Sequence, residues 1–110
     1  MSLDATLDAT VDGDVEFTFA VTNRGGAPVS LTFRTGQRAD VVVTDAETGD
    51  EVWRWSRGRM FTQAITTVEL PADETFDQHL TWRDPPPGSY EATATLAANR
   101  SVSATTSFTV

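Results

Sequence analysis

Apolar and polar residues alternate with a period of two through most of this chain. Leu3, Ala5, Leu7, Ala9 and Val11 fall on one side of a first segment, and Val15, Phe17, Phe19 and Val21 on one side of a second. An extended backbone turns successive side chains to opposite faces, so each run predicts a strand with one face buried. Asp12-Gly13-Asp14 supplies the turn between them, because glycine favours positive φ and aspartate tolerates it. Val29, Leu31 and Phe33 give a third strand, and residues 39–45, with Val41 and Val43 on one face, a fourth. A hairpin loop at 46–49 leads to a fifth over 51–56. Further strands are expected over 63–70, over 75–82 with Phe76, Gln78, Leu80 and Trp82 together, and through Tyr90, Ala92, Ala94, Leu96 and Ala98. Val102, Ala104, Thr106 and Phe108 mark the last. Loops are expected at 23–28, 35–37, 57–61, 71–74, 84–88 and 99–100, where Gly, Pro, Asn and Asp gather.

No window keeps helical spacing over three turns. About eight or nine short strands, with turns every ~8–12 residues, predict an all-β fold. The expected architecture is a single Ig-like antiparallel β-sandwich over residues 1–110, with no helix beyond one turn. Phe17, Phe19, Val21, Leu31, Phe33, Val43, Leu80, Tyr90 and Leu96 are its expected core. Pro87-Gly88-Ser89-Tyr90 fits the corner tyrosine of such sandwiches, whose hydroxyl bonds back to nearby backbone.

Composition narrows the chemistry. There is no cysteine, which removes disulfides, thiolate zinc sites and thiol nucleophiles. Sixteen acidic residues face eight basic ones, all of them arginine, for a net charge of −8. That field repels nucleic acid and anionic lipid, so neither is an expected partner. It suits a surface exposed to high salt, which screens self-repulsion, or a surface that seeks a basic partner. No apolar run approaches the ~20 residues of a membrane span, and residues 1–11 have no export pattern. The expectation is a cytoplasmic protein.

Few residues could carry catalysis. His79 is the only histidine, on the outward side of its strand with Asp77 and Thr81. A relay needs a serine beside it, and no nucleophile elbow or HExxH pattern is present, so no enzyme is expected. Asp45, Glu47 and Asp50 surround one turn, and Asp12 and Asp14 another. Neither stretch completes an EF-hand loop, and turn chemistry accounts for each, so no metal or cofactor is expected. Asn99-Arg100-Ser101 matches a glycosylation sequon but also reads as a tight turn. Trp53 and Trp55 share a face with Arg54 opposite; with Trp82 they are core anchors or a patch for a partner. Arg54, Arg57 and Arg59 either balance local acids or belong to a presented loop. In the second case Gly58 permits an unusual backbone and Arg59, Met60 and Phe61 are the readable side chains.

The order of pieces between residues 15 and 96 resembles the BsuPI-type bacterial intracellular proteinase inhibitors. The pieces are Phe19-Ala20-Val21-Thr22-Asn23, then L-x-F-x-x-G-Q at 31–37, then Asp40 opening a valine strand. G-x-x-V-W-R-W-S at 49–56, Phe61-x-Gln63, Trp82 and the P-G-x-Y turn complete them. A large aromatic is common before the strand aspartate; here it is Ala39. The resemblance implies a cytoplasmic inhibitor of an intracellular subtilisin-like serine protease, in an acidic, haloarchaeal-type member. It would act by non-covalent binding through a loop or edge strand. The alternative is a non-inhibitory Ig-like interaction or structural module. The expected partner-binding residues are Arg57, Gly58, Arg59, Met60 and Phe61, followed by Gly36, Gln37 and Arg38.

Overall fold

Each alternating run forms a strand in the computed structural model, which describes residues 2–110. The strands are β1 (Leu3–Asp12), β2 (Asp14–Asn23), β3 (Val29–Phe33), β4 (Ala39–Asp45), β5 (Glu51–Arg54), β6 (Thr66–Leu70), β7 (Thr75–Trp82), β8 (Ser89–Leu96) and β9 (Ser103–Thr109). No helix occurs among the described residues. Every pairing is antiparallel. β1-β2-β7 form one sheet, β5-β4-β8-β9 a second, and β3-β6 a two-stranded third. The result is an Ig-like β-sandwich.

Periodicity sets the core. Val15, Phe17, Phe19 and Val21 of β2 are fully buried, as are Val41 and Val43 of β4 and Ala92 and Ala94 of β8. All nine residues expected in the core are buried. Removing one such Phe, Leu or Val side chain from water contributes about 1.5–3 kcal/mol. The aromatic rings pack continuously between the sheets. Trp53 stacks on Phe17 at 6.2 Å and on Trp82 at 5.4 Å, and Trp82 meets Tyr90 edge-on at 5.1 Å. The Tyr90 hydroxyl donates to Pro86 O at 2.7 Å, closing the corner that the Pro-Gly turn suggested.

Three expectations are corrected. Asn23 does not begin a loop: it ends β2, wholly buried, in phase with Val21. Its Nδ2 donates to Ala27 O at 2.8 Å and Leu70 O at 3.0 Å, and its Oδ1 accepts from Gly25 N at 2.9 Å. A buried amide with its hydrogen bonds made ties β2 to the end of β6. Asn99 plays the matching role for the other sheet. Its Oδ1 accepts from Thr32 N at 2.9 Å while its own N–H donates to Thr32 O at 3.1 Å. The small β3-β6 sheet is thereby joined to both larger sheets.

The other two corrections concern strand ends. β5 stops at Arg54 rather than at residue 56. Trp55 N still donates to Val41 O at 2.9 Å, but Ser56 N turns to the Asp40 carboxylate, and Arg57 N donates back to Arg54 O at 3.1 Å. A side-chain oxygen has replaced the next ladder acceptor, and the chain leaves the sheet. β6 begins at Thr66 rather than at 63, because its partner β3 ends at Phe33, opposite Thr66. Residues 63–65 have no strand to pair with. No helix among the described residues is long and apolar enough to cross a membrane.

Candidate partner-binding face

Two loops, 34–38 after β3 and 55–65 between β5 and β6, carry all the expected partner-binding residues. The fold brings them together. Gly36 N donates to Thr62 O at 2.9 Å. A Cβ on Gly36 would stand 2.7 Å from Thr62 Oγ1, so glycine permits this approach. Residues far apart in sequence thus form one composite surface.

The base of that surface is a polar clamp. Asp40 Oδ1 accepts from Val41 N at 2.9 Å and Ser56 N at 3.0 Å, and its Oδ2 accepts from Ser56 Oγ at 2.6 Å. Arg54 lies 3.5 Å from the same carboxylate and donates to Glu51 Oε1 at 2.8 Å. Arg57 pairs with the other Glu51 oxygen. The Arg54 hydrogen bond, aided by the charges of Arg54 and Arg57, holds the Glu51 carboxyl below the usual carboxylate range. Glu51 in turn raises Arg54.

Above the clamp, Trp55 organises the loop. Arg59 Nε donates to Trp55 O at 2.8 Å, and its guanidinium lies 4.3 Å from the indole centroid. Phe61 packs on the same indole at 5.8 Å. Gly58, at φ 77°, makes the left-handed turn that returns the chain over the tryptophan. Met60, between the two residues held on Trp55, is 98% exposed.

In the companion loop, Gln37 N donates to Thr35 Oγ1 at 3.1 Å and Gln37 Nε2 to Ala39 O at 3.2 Å. Arg38 donates to Thr35 O at 3.2 Å and lies 4.4 Å over the Phe33 ring. Arg57, Gly58, Arg59, Met60 and Gly36 are exposed; Phe61, Gln37 and Arg38 are half-buried. Of the tryptophans, Trp82 is core, and Trp53 and Trp55 pack partly buried against it.

The Asp40–Ser56 clamp and the Gly36–Thr62 contact were not anticipated as contacts. The available signal was an aspartate opening the valine strand and a serine closing the W-R-W-S run. The remaining polar candidates serve local structure. Asp45 Oδ1 accepts from Glu47 N at 2.8 Å and Thr48 N at 3.2 Å, as a turn aspartate does. Asp14 Oδ1 accepts from Asp84 N at 3.0 Å. His79 Nδ1 lies 3.3 Å from Thr18 Oγ1 on the exposed face of the β2-β7 pair. Among the described residues no group of three or more His, Cys, Asp or Glu side chains is placed to hold a metal.

Comparison with known proteins bears on this geometry. The profile of a family described as BsuPI, intracellular proteinase inhibitor, matches residues 2–101. No curated protein matches the chain. The CARDB domain of a Pyrococcus furiosus protein, solved in complex with di-metal ions, is 19% identical with a TM-score of 0.53, over 99% of this chain and 92% of that one. Beta-glucosidase 3B from Thermotoga neapolitana, in complex with glucose, is 17% identical with a TM-score of 0.56. The Kluyveromyces marxianus beta-glucosidase, also with glucose, is 13% identical with a TM-score of 0.56. Each glucosidase match covers 99% of this chain but only 16% and 14% of the respective enzyme. At such identities the likeness concerns the fold alone.

Proposed function

Because the chain belongs to the BsuPI family of intracellular proteinase inhibitors, we propose that it inhibits a subtilisin-like serine protease of the cytoplasm. It does so by non-covalent binding through the composite face of loops 34–38 and 55–65, without catalysing a reaction of its own. The observation that carries this reading is the lock between the two loops, Gly36 N to Thr62 O at 2.9 Å. A protease cleft binds an extended segment, and affinity depends on how little freedom that segment loses on docking. Fixing the segment to the sandwich in advance removes much of that loss. Protease–inhibitor interfaces bury about 1,600 Å², and two adjoining loops supply more of such an area than one. The acidic surface suits a target that works in high salt, where screening suppresses self-repulsion.

The test is stoichiometric titration of subtilisin-like proteases with the domain, in molar salt, followed with a peptide substrate. Saturable inhibition at one domain per enzyme is expected. A second reading, a non-inhibitory interaction or structural module, draws on the glucosidase likeness, in which this fold forms a small part of a larger chain. Absence of inhibition across several such proteases would favour it.

A further inference from the structure

Arg54, Arg57 and Arg59 crowd the β5 end and loop 55–65, and an arginine presented there would suit a target whose primary pocket carries a carboxylate. The geometry argues otherwise. Arg54 is bound to Glu51 and lies beside Asp40, Arg57 is paired with Glu51, and Arg59 lies on Trp55. Each guanidinium is engaged by the domain itself. Of the apolar side chains in the loop, Met60 stands out furthest: it is 98% exposed against 72% for Ile65, whereas Phe61 packs on Trp55.

Resting on the inhibitory reading above, we propose that Met60 is the residue that fills the target's primary specificity pocket, so that the target cleaves after large apolar residues. Three observations converge. The first is that an unbranched apolar side chain stands free in solvent, where it gains nothing for folding; burial in an apolar pocket recovers that loss. The second is that its neighbours on both sides are anchored to one tryptophan, and Thr62 is tied to Gly36. The third is that, among the described residues, the main-chain groups of Met60 and Phe61 bond to no other backbone group, which leaves them free for strand-like pairing in the cleft.

The same anchoring explains why a substrate-like segment would resist cleavage. The protease serine Oγ would attack the Met60 carbonyl carbon, the Met60–Phe61 bond would break, and the serine proton would pass through the enzyme's histidine to the Phe61 amine. Phe61 is held on Trp55, so the new amine cannot diffuse away. It attacks the acyl-enzyme, re-forms the peptide bond, and the proton returns to the serine. Only when water attacks instead does the segment end as a Met60 carboxylate and a Phe61 amine. Effective concentrations for groups held in this way greatly exceed those of free reactants, which favours religation.

The experiment titrates the parent, Met60→Ala, Met60→Leu and Met60→Arg against a subtilisin-like protease with an apolar pocket and against trypsin, in molar salt. Met60→Ala is expected to weaken inhibition of the first enzyme at least about tenfold, or ~1.4 kcal/mol, and Met60→Leu to stay within about threefold. Met60→Arg is expected to lose the first enzyme and to gain trypsin, whose pocket carries a carboxylate. Prolonged incubation of the parent with the first enzyme should give a single cut at Met60–Phe61, read by mass spectrometry. Because Met60 touches so little of the fold, all variants should melt with the parent. A Met60→Ala domain that inhibits like the parent, or a first cut elsewhere, overturns the assignment and leaves the inhibitory reading standing. A parent that inhibits neither enzyme overturns that reading, and Met60's role with it, before any variant is compared.

Discussion

Replacing Gly36 by alanine isolates the contact that joins the two loops. The new Cβ would lie 2.7 Å from Thr62 Oγ1, closer than real Cβ contacts, but 3.5 Å from Thr62 N, an ordinary separation. The conflict is therefore with one hydroxyl. Thr62 either leaves its rotamer, at about 0.5–1.5 kcal/mol, or the loop retreats and weakens the Gly36 N–Thr62 O bond, at a similar cost. Alanine also narrows the unfolded ensemble, which stabilises by about 0.4–1 kcal/mol where the backbone conformation suits it. In the native background the two effects oppose, and Gly36→Ala should destabilise by roughly 0.5 kcal/mol. In a Thr62→Ala background the hydroxyl is gone while the main-chain carbonyl remains. There only the unfolded-state effect survives, and Gly36→Ala should stabilise by roughly 0.5 kcal/mol. The coupling between the two sites is then about 1 kcal/mol, beyond the ~0.3–0.5 kcal/mol scatter of independent sites. For a domain of this size that amounts to about 4 °C in melting temperature. Thermal and urea unfolding of the four proteins in molar salt, followed by circular dichroism, would measure it. Additive effects within that scatter would show that the loops are not locked through this approach, and would remove the main support for a composite face.

Further outcomes follow from the clamp and the surface. Asn23→Ala leaves Leu70 O, Ala27 O and Gly25 N without their partner and should cost about 1–3 kcal/mol in urea unfolding, as loss of a buried hydrogen-bonding group does. Asn23→Asp should cost more at neutral than at acid pH, since a carboxylate oxygen would face two carbonyls; equal losses at both would contradict the hydrogen-bond assignment. The folded state holds Glu51 below its unfolded pKa, so its contribution is present above about pH 4.5 and lost as pH falls through the lowered value. Glu51→Gln should reduce stability slightly at pH 7 and flatten the acid limb of the stability curve; a mutant curve parallel to the parent's would rule this out. Sixteen acids against eight arginines should raise the melting temperature from dilute buffer to molar salt, equally for NaCl and KCl, and a flat or falling curve would count against self-repulsion. Micromolar calcium should add nothing beyond ionic strength, because Asp45 already serves the turn; a shift of several degrees reversed by chelator would reopen a metal site.

The strands were legible because one rule governs them. A residue in phase with Val15, Phe17, Phe19 and Val21 is carried inward whatever its type, and Asn23 obeys that phase. Composition pointed the other way, toward a loop, and lost to geometry because the amide found partners in Leu70 and Ala27. Strand ends were less legible, since they depend on what lies across the ladder. β5 ends where Asp40, distant in sequence, captures Ser56, and β6 begins where β3 runs out. No local pattern contains either fact.

The candidate face follows the same logic one level up. Arg59 and Met60 are neighbours with no difference in local pattern, yet one lies on Trp55 and the other stands in solvent. What separates them is the placement of a tryptophan that the Asp40–Ser56 clamp fixes. The residues that carried the family resemblance here, Gly36, Gln37, Asp40, Trp53, Arg54, Trp55, Ser56 and Phe61, all make contacts within the domain. They build the platform. Arg57 to Met60 lie between the motif's pieces; Arg57 and Arg59 are still engaged by Glu51 and Trp55, whereas the Met60 side chain stands in solvent. A motif of this kind reports how a loop is held rather than what it grips. On the proposed reading, specificity resides in the residues the motif leaves free, and among the exposed large apolar side chains of the described residues Met60 is the one most free of the fold.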